Sequence, residues 1–345
     1  MVMCKKFSLF DRCSIAATFL VVLLFSPVSS YAYDGPVFNQ LKATGLQIGV
    51  RTYISAKSTT IKMSKDLVRI HYELENVEKT DLTPYLYFPV PAIRTLHAGN
   101  HAAFAQPLNN NPVRFDAKVN GTSIDFQTQQ QALYLGLDIS DKLKAAGLPL
   151  FPFGSELNKS IETLSPVTRR DLFDQGIVSH WGPHWALMTT HYWRQNFPAE
   201  KTQNIEISYK PVFGEFIDSF LRMGEKIVLT LEEENPDYLC MTKAQREELN
   251  ARFTHPKIED GDRPYTIFPI SFNLVNVNKQ YGSIGNLSFQ IETKNTGDIV
   301  SVCGGNFKKT GPKLHEWKSD SADEVSNMKI FIMELDKKFK KDSKD

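Results

Sequence analysis

Between Trp185 and Lys210 the chain alternates with a period of two, a pattern that only extended backbone can use. Trp185, Leu187, Thr189, His191 and Trp193 fall on one face of such a strand, and Ala186, Met188, Thr190, Tyr192 and Arg194 on the other. Aromatic and β-branched residues at this density favour the pleated state, and Pro198 ends the run. Asn204 to Lys210 alternates again, with Ile205, Ile207 and Tyr209 opposed to Glu206 and Ser208. Joined by the polar link Ala199–Gln203, the two runs predict a β-hairpin.

Most of the remaining chain reads the same way. Val68, Ile70, Tyr72 and Leu74 point inward from a strand over Leu67–Glu75, with Arg69, His71 and Glu73 outward. Tyr85–Phe88 is a short aromatic strand that Pro89 and Pro91 should stop. Asn120-Gly121 between two short runs is a hairpin turn, because both residues tolerate positive φ. Tyr265–Val275, Gly285–Glu292, Asp298–Cys303 and Lys329–Leu335 alternate as further strands. Helices are few and short: Asp141–Ala146, a segment opened by Ser165-Pro166 and ended by Gly176, and Thr242–Phe253 with Thr242 and Gln245 spaced as a capping box. The expected class is mainly β, as two antiparallel β-sandwich-like domains with a few short helices. Residues 33–148 form the first domain in this reading, 149–179 a linker with a short helix, 180–335 the second domain, and 336–345 a flexible tail. Leu96–Pro112 lacks any period and reads as a long loop.

Residues 1–32 have the three parts of an export signal: Lys5, Lys6 and Arg12, an apolar run from Ser14 to Phe25, and the small-x-small site Ser30-Tyr31-Ala32. The apolar run is about a dozen residues against the roughly 20 that a bilayer span needs, so cleavage is expected and an uncleaved anchor is the alternative. Three basic residues and one acid leave with the signal, so 37 basic side chains then face 38 acidic ones. That balance attracts neither nucleic acid nor anionic membranes in general. Cys240 and Cys303 are the cysteines that remain. In an oxidising compartment two thiols most simply pair, and two separate buried thiols are the alternative. Lacking C-x-x-C spacing, the pair gives no redox signature.

Chemistry-bearing patterns are sparse. His180, His184 and His191 lie close in sequence, but Gly182 and Pro183 prevent the helix that would turn His180 and His184 toward one metal, so no metal site is assigned. No catalytic residue is assigned either: G-x-S-x-G is missing, and the one S-x-x-K, Ser326–Lys329, begins a strand. No phosphate-binding glycine loop follows a strand, so no cofactor is expected. Trp181, Trp185, Tyr192, Trp193 and Arg194 could build an aromatic platform for a small ligand or a glycan, with core packing as the competing reading.

Four blocks carry a family resemblance: LVRIHYELENVEKTDLTPYLYFPVP, HYWRQNFPAEKTQNIEISYKPVFG, DYLCMTKAQ, and YTIFPISFNL with DIVSVC. In this order they resemble an exported Gram-negative bacterial family catalogued only as a domain of unknown function. The resemblance implies a β-rich periplasmic or secreted protein in which Cys240 and Cys303 pair, and it implies no reaction. The expected role is therefore a protein-interaction or structural module of the bacterial envelope, meeting another envelope protein or a glycan. A ligand- or glycan-binding module is the second reading, and a hydrolase with scattered site residues the third.

Overall fold

The alternation just described closes into three large sheets in a computed structural model that describes residues 46–48, 53–94, 111–213, 218–223, 226–228, 238–253, 259, 262–272, 286–320, 328–336 and 338. Residues 1–32, the loop over 96–110 and most of the tail lie outside the described residues. Strands are numbered in chain order.

The largest sheet has eight strands. Its order is β18 (Lys308–Lys309), β19 (Leu314–Ser319), β16 (Asn286–Glu292), β2 (Ile54–Met63), β3 (Val68–Asn76), β12 (Thr202–Tyr209), β5 (Asp116–Val119) and β6 (Thr122–Ser123). It thus draws strands from both sides of residues 149–179. Only β2 and β16 pair in parallel among the described strands. Register explains why this sheet has a dry face. Trp317, Phe289, Ile61, Ile70, Ile207 and Ala117 stand directly opposite one another across six strands, and all are buried. Cross-strand partners share a face, so the rank is one apolar stripe running across the sheet. At the β5–β6 turn Asn120 and Gly121 have φ of 50° and 80°, the two left-handed residues that the Asn-Gly pair predicts.

Two five-stranded sheets cover that face. One has the order β1 (Gln47–Ile48), β4 (Tyr85–Arg94), β11 (Ala186–Arg194), β7 (Gln127–Tyr134) and β8 (Leu137–Asp138). Phe88 of β4 packs on Tyr209 of β12 with ring centroids 5.5 Å apart. The other has the order β14 (Lys226–Val228), β13 (Asp218–Met223), β15 (Tyr265–Phe272), β20 (Met328–Leu335) and β17 (Ile299–Cys303). Here Phe272 of β15 meets Phe289 of β16 at 5.2 Å. Lys65, in the turn between β2 and β3, pairs with Glu334 of β20 and sits 4.8 Å from the Phe268 ring centroid. The architecture is mainly β and sandwich-like, with one sheet shared by two covering layers.

Helices fill the flanks. Among the described residues there are four: α1 (Ser140–Ala145), α2 (Ser155–Glu162), α3 (Pro166–Asp174) and α4 (Lys243–Phe253). The first three bury Leu143, Leu157 and Leu172 against Ala132 and Trp185. Ser165 caps α3 by accepting from the Thr168 N–H at 3.1 Å. The expected capping box opens α4: Thr242 N–H donates to Gln245 Oε1 at 2.9 Å and Gln245 N–H to Thr242 Oγ1 at 3.2 Å. Leu249 of this helix, with Leu239 and Met241, covers Ile267, Phe331 and Met333 on the far side of the β15–β20–β17 sheet. None of these helices is long and apolar enough to cross a membrane among the described residues.

Three local expectations differ from the structure. β11 and β12 are consecutive but do not pair; β11 lies between β4 and β7, and β12 between β3 and β5. The link between them therefore steps from one layer to the other instead of closing a hairpin. β4 runs through Pro89 and Pro91, and β15 through Pro269. Among the described residues β1 pairs only with Leu86 and Tyr87, and β13 only with Tyr265, Thr266 and Ile267 on β15, so none of these prolines has a described partner on that side. A two-strand hairpin, β9 (Val178–Ser179) with β10 (Gly182–Pro183), also forms where the sequence shows only breakers.

Candidate functional site

β11 sorts the residues singled out in the sequence onto two sides of its sheet. Trp185 is 1 % exposed and donates its indole N–H to the Leu150 carbonyl at 2.8 Å. Trp193, 5 % exposed, belongs to the large core, and its indole nitrogen has no hydrogen-bond partner among the described residues. Trp181 sits at the tip of the β9–β10 turn and is 91 % exposed. In that turn Ser179 Oγ accepts from the Trp181 N–H at 3.1 Å and lies 2.7 Å from His184 Nε2. Tyr192 and Arg194 point outward from β11. Tyr192 stacks on Tyr87 at 6.4 Å and lies 6.3 Å from Tyr85, while the Arg194 guanidinium is 5.7 Å from the Tyr85 ring centroid.

The structure therefore separates the three tryptophans and brings Tyr192 and Arg194 together with two tyrosines of β4. Register builds this cluster: Tyr192 is paired with Tyr87 and Arg194 with Tyr85. The same rank continues to Gln47 on β1 and Gln127 on β7. Tyr85 and Tyr87 share a face by the simple period of two, which the sequence shows, but their partners lie about a hundred residues away, which it does not.

His191 points the other way. It is fully buried, stacked on Phe115 at 4.3 Å and edge-on to Phe126 at 4.9 Å, with Nδ1 2.9 Å from Thr128 Oγ1. Burial disfavours the charged ring and pushes its pKa down to about 3. Among the described residues no three His, Cys, Asp or Glu side chains converge to hold a metal ion, so His180, His184 and His191 do not form one centre.

Cys240 and Cys303 are disulfide-bonded, with Cα atoms 5.3 Å apart. The bridge ties the entry of α4 to β17, helped by Ser301 Oγ donating to the Leu239 carbonyl at 2.6 Å and Gln245 Nε2 donating to the Val300 carbonyl at 2.5 Å. Beside it opens a cleft of about 390 Å³ walled by α4, β17 and the β18–β19 hairpin. A second cleft, of about 340 Å³, lies at the β2–β3 turn against β20 and is lined by opposing charges, among them Lys65, Glu334, Lys313 and Glu292.

No curated protein matches the chain. Among solved structures, a candidate nutrient binding protein of Legionella pneumophila shares 12 % identity over 84 % of this chain and 71 % of its own, with a TM-score of 0.40. Native yeast LTA4 hydrolase aligns over 92 % of this chain and 33 % of its own at 9 % identity and a TM-score of 0.29. An M1 zinc metallopeptidase of Deinococcus radiodurans aligns over 82 % and 43 % at 6 % identity and 0.26. These are distant, partial likenesses in chain path. The family described as a domain of unknown function, DUF4424, matches residues 37–329, which take in the strands from β1 to β19, the four described helices and both bridged cysteines, and the chain belongs to that family.

Proposed function

We propose that this chain is an exported envelope protein that acts by binding, and that it meets another envelope protein through the outer end of the β4–β11 face. One observation carries this reading: Tyr85, Tyr87, Tyr192 and Arg194 cluster on the outward side of the sheet, with Tyr85 and Arg194 exposed. Tyrosine and arginine are the side chains that most often anchor protein interfaces, because each buries a large rigid area while keeping a polar tip. The export signal in residues 1–32 and a disulfide that needs an oxidising compartment support placement in the periplasm or outside the cell. A glycan is the second reading, favoured by the rank Gln47–Tyr87–Tyr192–Gln127, which flanks two ring faces suited to sugar CH surfaces with amides suited to hydroxyls.

A photo-reactive benzophenone amino acid in place of Tyr192, irradiated in the host that makes the protein, tests both readings. A protease-sensitive adduct of defined mass supports the protein partner. An adduct cleaved by glycosidases moves the assignment to the glycan. If irradiation yields the bare chain while the same probe in place of Ser123 gives the same background, the face has no partner and the reading fails.

A further inference from the structure

The inward face of the eight-stranded sheet is mostly apolar, but it also buries Thr59, whose Oγ1 lacks a hydrogen-bond partner among the described residues, together with Asn76, Gln203 and His315. The rank next to the central stripe reads Tyr209, Val68, Met63, Ile291 and then His315, each directly opposite the next. His315 is 7 % exposed, yet its Nδ1 has no hydrogen-bond partner among the described residues. A buried polar atom left without a partner is destabilising, so a histidine here needs a reason. Its surroundings supply one. His315 lines the 390 Å³ cleft beside the disulfide, and β18 places Lys309 directly opposite it, on the same face. Glu248 of α4 stands in the facing wall, and Val300, Val302 and Phe307 supply apolar lining. The volume is in the range of small-ligand sites, which combine mostly apolar walls with a few converging polar groups.

We infer that this cleft binds a small zwitterion with an apolar body, of the size and chemistry of a free apolar α-amino acid. The carboxylate lies between the Lys309 ammonium and the His315 ring, which gains the partner that its Nδ1 lacks. The ammonium group faces Glu248, and the side chain packs on Val300, Val302 and Phe307. Lys309 and Glu248 act on the His315 ring with opposite sign, as expected if both charges border the same space. Neither a neutral sugar nor a simple anion would use the cation and the carboxylate together. The site is remote in sequence from Tyr85 and Tyr192 and does not depend on their role.

Isothermal titration of the purified, oxidised chain with L-leucine, 4-methylpentanoate and leucinamide tests the inference, since the last two lack the ammonium and the carboxylate in turn. Leucine is expected to bind below millimolar concentration, and each analogue at least about tenfold more weakly, a difference of roughly 1.4 kcal/mol. Lys309→Met, at an exposed position, and Glu248→Gln, at a half-buried one, should each weaken leucine by about tenfold, with melting curves recorded for both variants. His315→Phe should do the same, and since it replaces a buried ring its melting curve must be matched before its affinity is compared. Glu248→Gln should leave 4-methylpentanoate unaffected. No heat with leucine, valine or methionine at millimolar concentration overturns the inference. So does leucine binding that Lys309→Met leaves intact, or 4-methylpentanoate binding as tightly as leucine.

Discussion

His191 lies face to face with Phe115, ring centroids 4.3 Å apart and planes 16° from parallel. Closed in by Phe126 as well, the imidazole is held neutral, and its pKa falls from about 6.5 to about 3 through burial. In the unfolded chain it takes up a proton as pH drops below 6.5; in the folded chain it does not until about 3. The unfolded state therefore binds more protons between these values, and stability is lost as pH falls through that window. At pH 4.5 the loss from this residue is on the order of 2–3 kcal/mol, at about 1.4 kcal/mol per unit. His191→Phe keeps the ring stack and removes the proton. Urea unfolding at pH 7 and 4.5 should show the wild type losing more stability than the variant by roughly that amount; equal losses would mean that the ring is already solvated.

The chain has four tryptophans, and three are shielded: Trp185, Trp193 and Trp317 are 1 %, 5 % and 6 % exposed, against 91 % for Trp181. Iodide, which reaches only solvent-exposed rings, should quench a minor fraction of the fluorescence. Trp181→Phe should abolish the accessible fraction without changing stability beyond about 0.5 kcal/mol, as expected for a surface change. Quenching that survives both Trp181→Phe and Trp317→Phe would place Trp185 or Trp193 in solvent and restore the aromatic platform as a site.

Sixty-three positions separate Cys240 from Cys303, and the bridge joins the turn before α4 to β17. Loop entropy assigns such a link about 4 kcal/mol, largely by restricting the unfolded chain. Cys240→Ala with Cys303→Ala, or reduction of the wild type, should lower Tm by on the order of 5–10 °C for a chain of this size. Gln245 and Ser301 still hold α4 and the Leu239 segment to β17, so circular dichroism at 25 °C should stay unchanged. A lost helical signal in the double variant would show that the bridge alone holds α4 in place.

What could be read from the sequence was local. The wet and dry sides of β3, the Asn120-Gly121 turn and the Thr242–Gln245 box each depend on residues within a few positions, and the structure shows all three. What could not be read was pairing at a distance. Adjacent alternating runs suggest a hairpin, but β11 and β12 each have two better-matched neighbours far along the chain, so they enter different sheets. Pro89 and Pro91 look like stops in the sequence, but β4 continues through both. β7 escaped notice because its run of glutamines has neither alternation nor strong β propensity; it is held by β11 on one side and β8 on the other. The candidate sites follow the same rule. Trp185 and Trp193 stand out by residue type, whereas the Tyr87–Tyr192 and Lys309–His315 pairs exist only once register is set.

Ile70 stands in the middle of the apolar rank, between Ile61 and Ile207, and is fully buried; Arg69, one residue earlier, points outward toward Glu206 at 3.9 Å. Ile70→Ala removes buried surface and leaves a cavity that two packed sheets cannot easily close, so a loss of about 3–5 kcal/mol is expected. Arg69→Ala removes an exposed ion pair that contributes at most about 1 kcal/mol. Urea midpoints at equal m-value give both numbers on one scale. If Arg69→Ala cost as much as Ile70→Ala, the outer side of the eight-stranded sheet would have to be covered by a further layer, and the sandwich would have its wet face assigned to the wrong side.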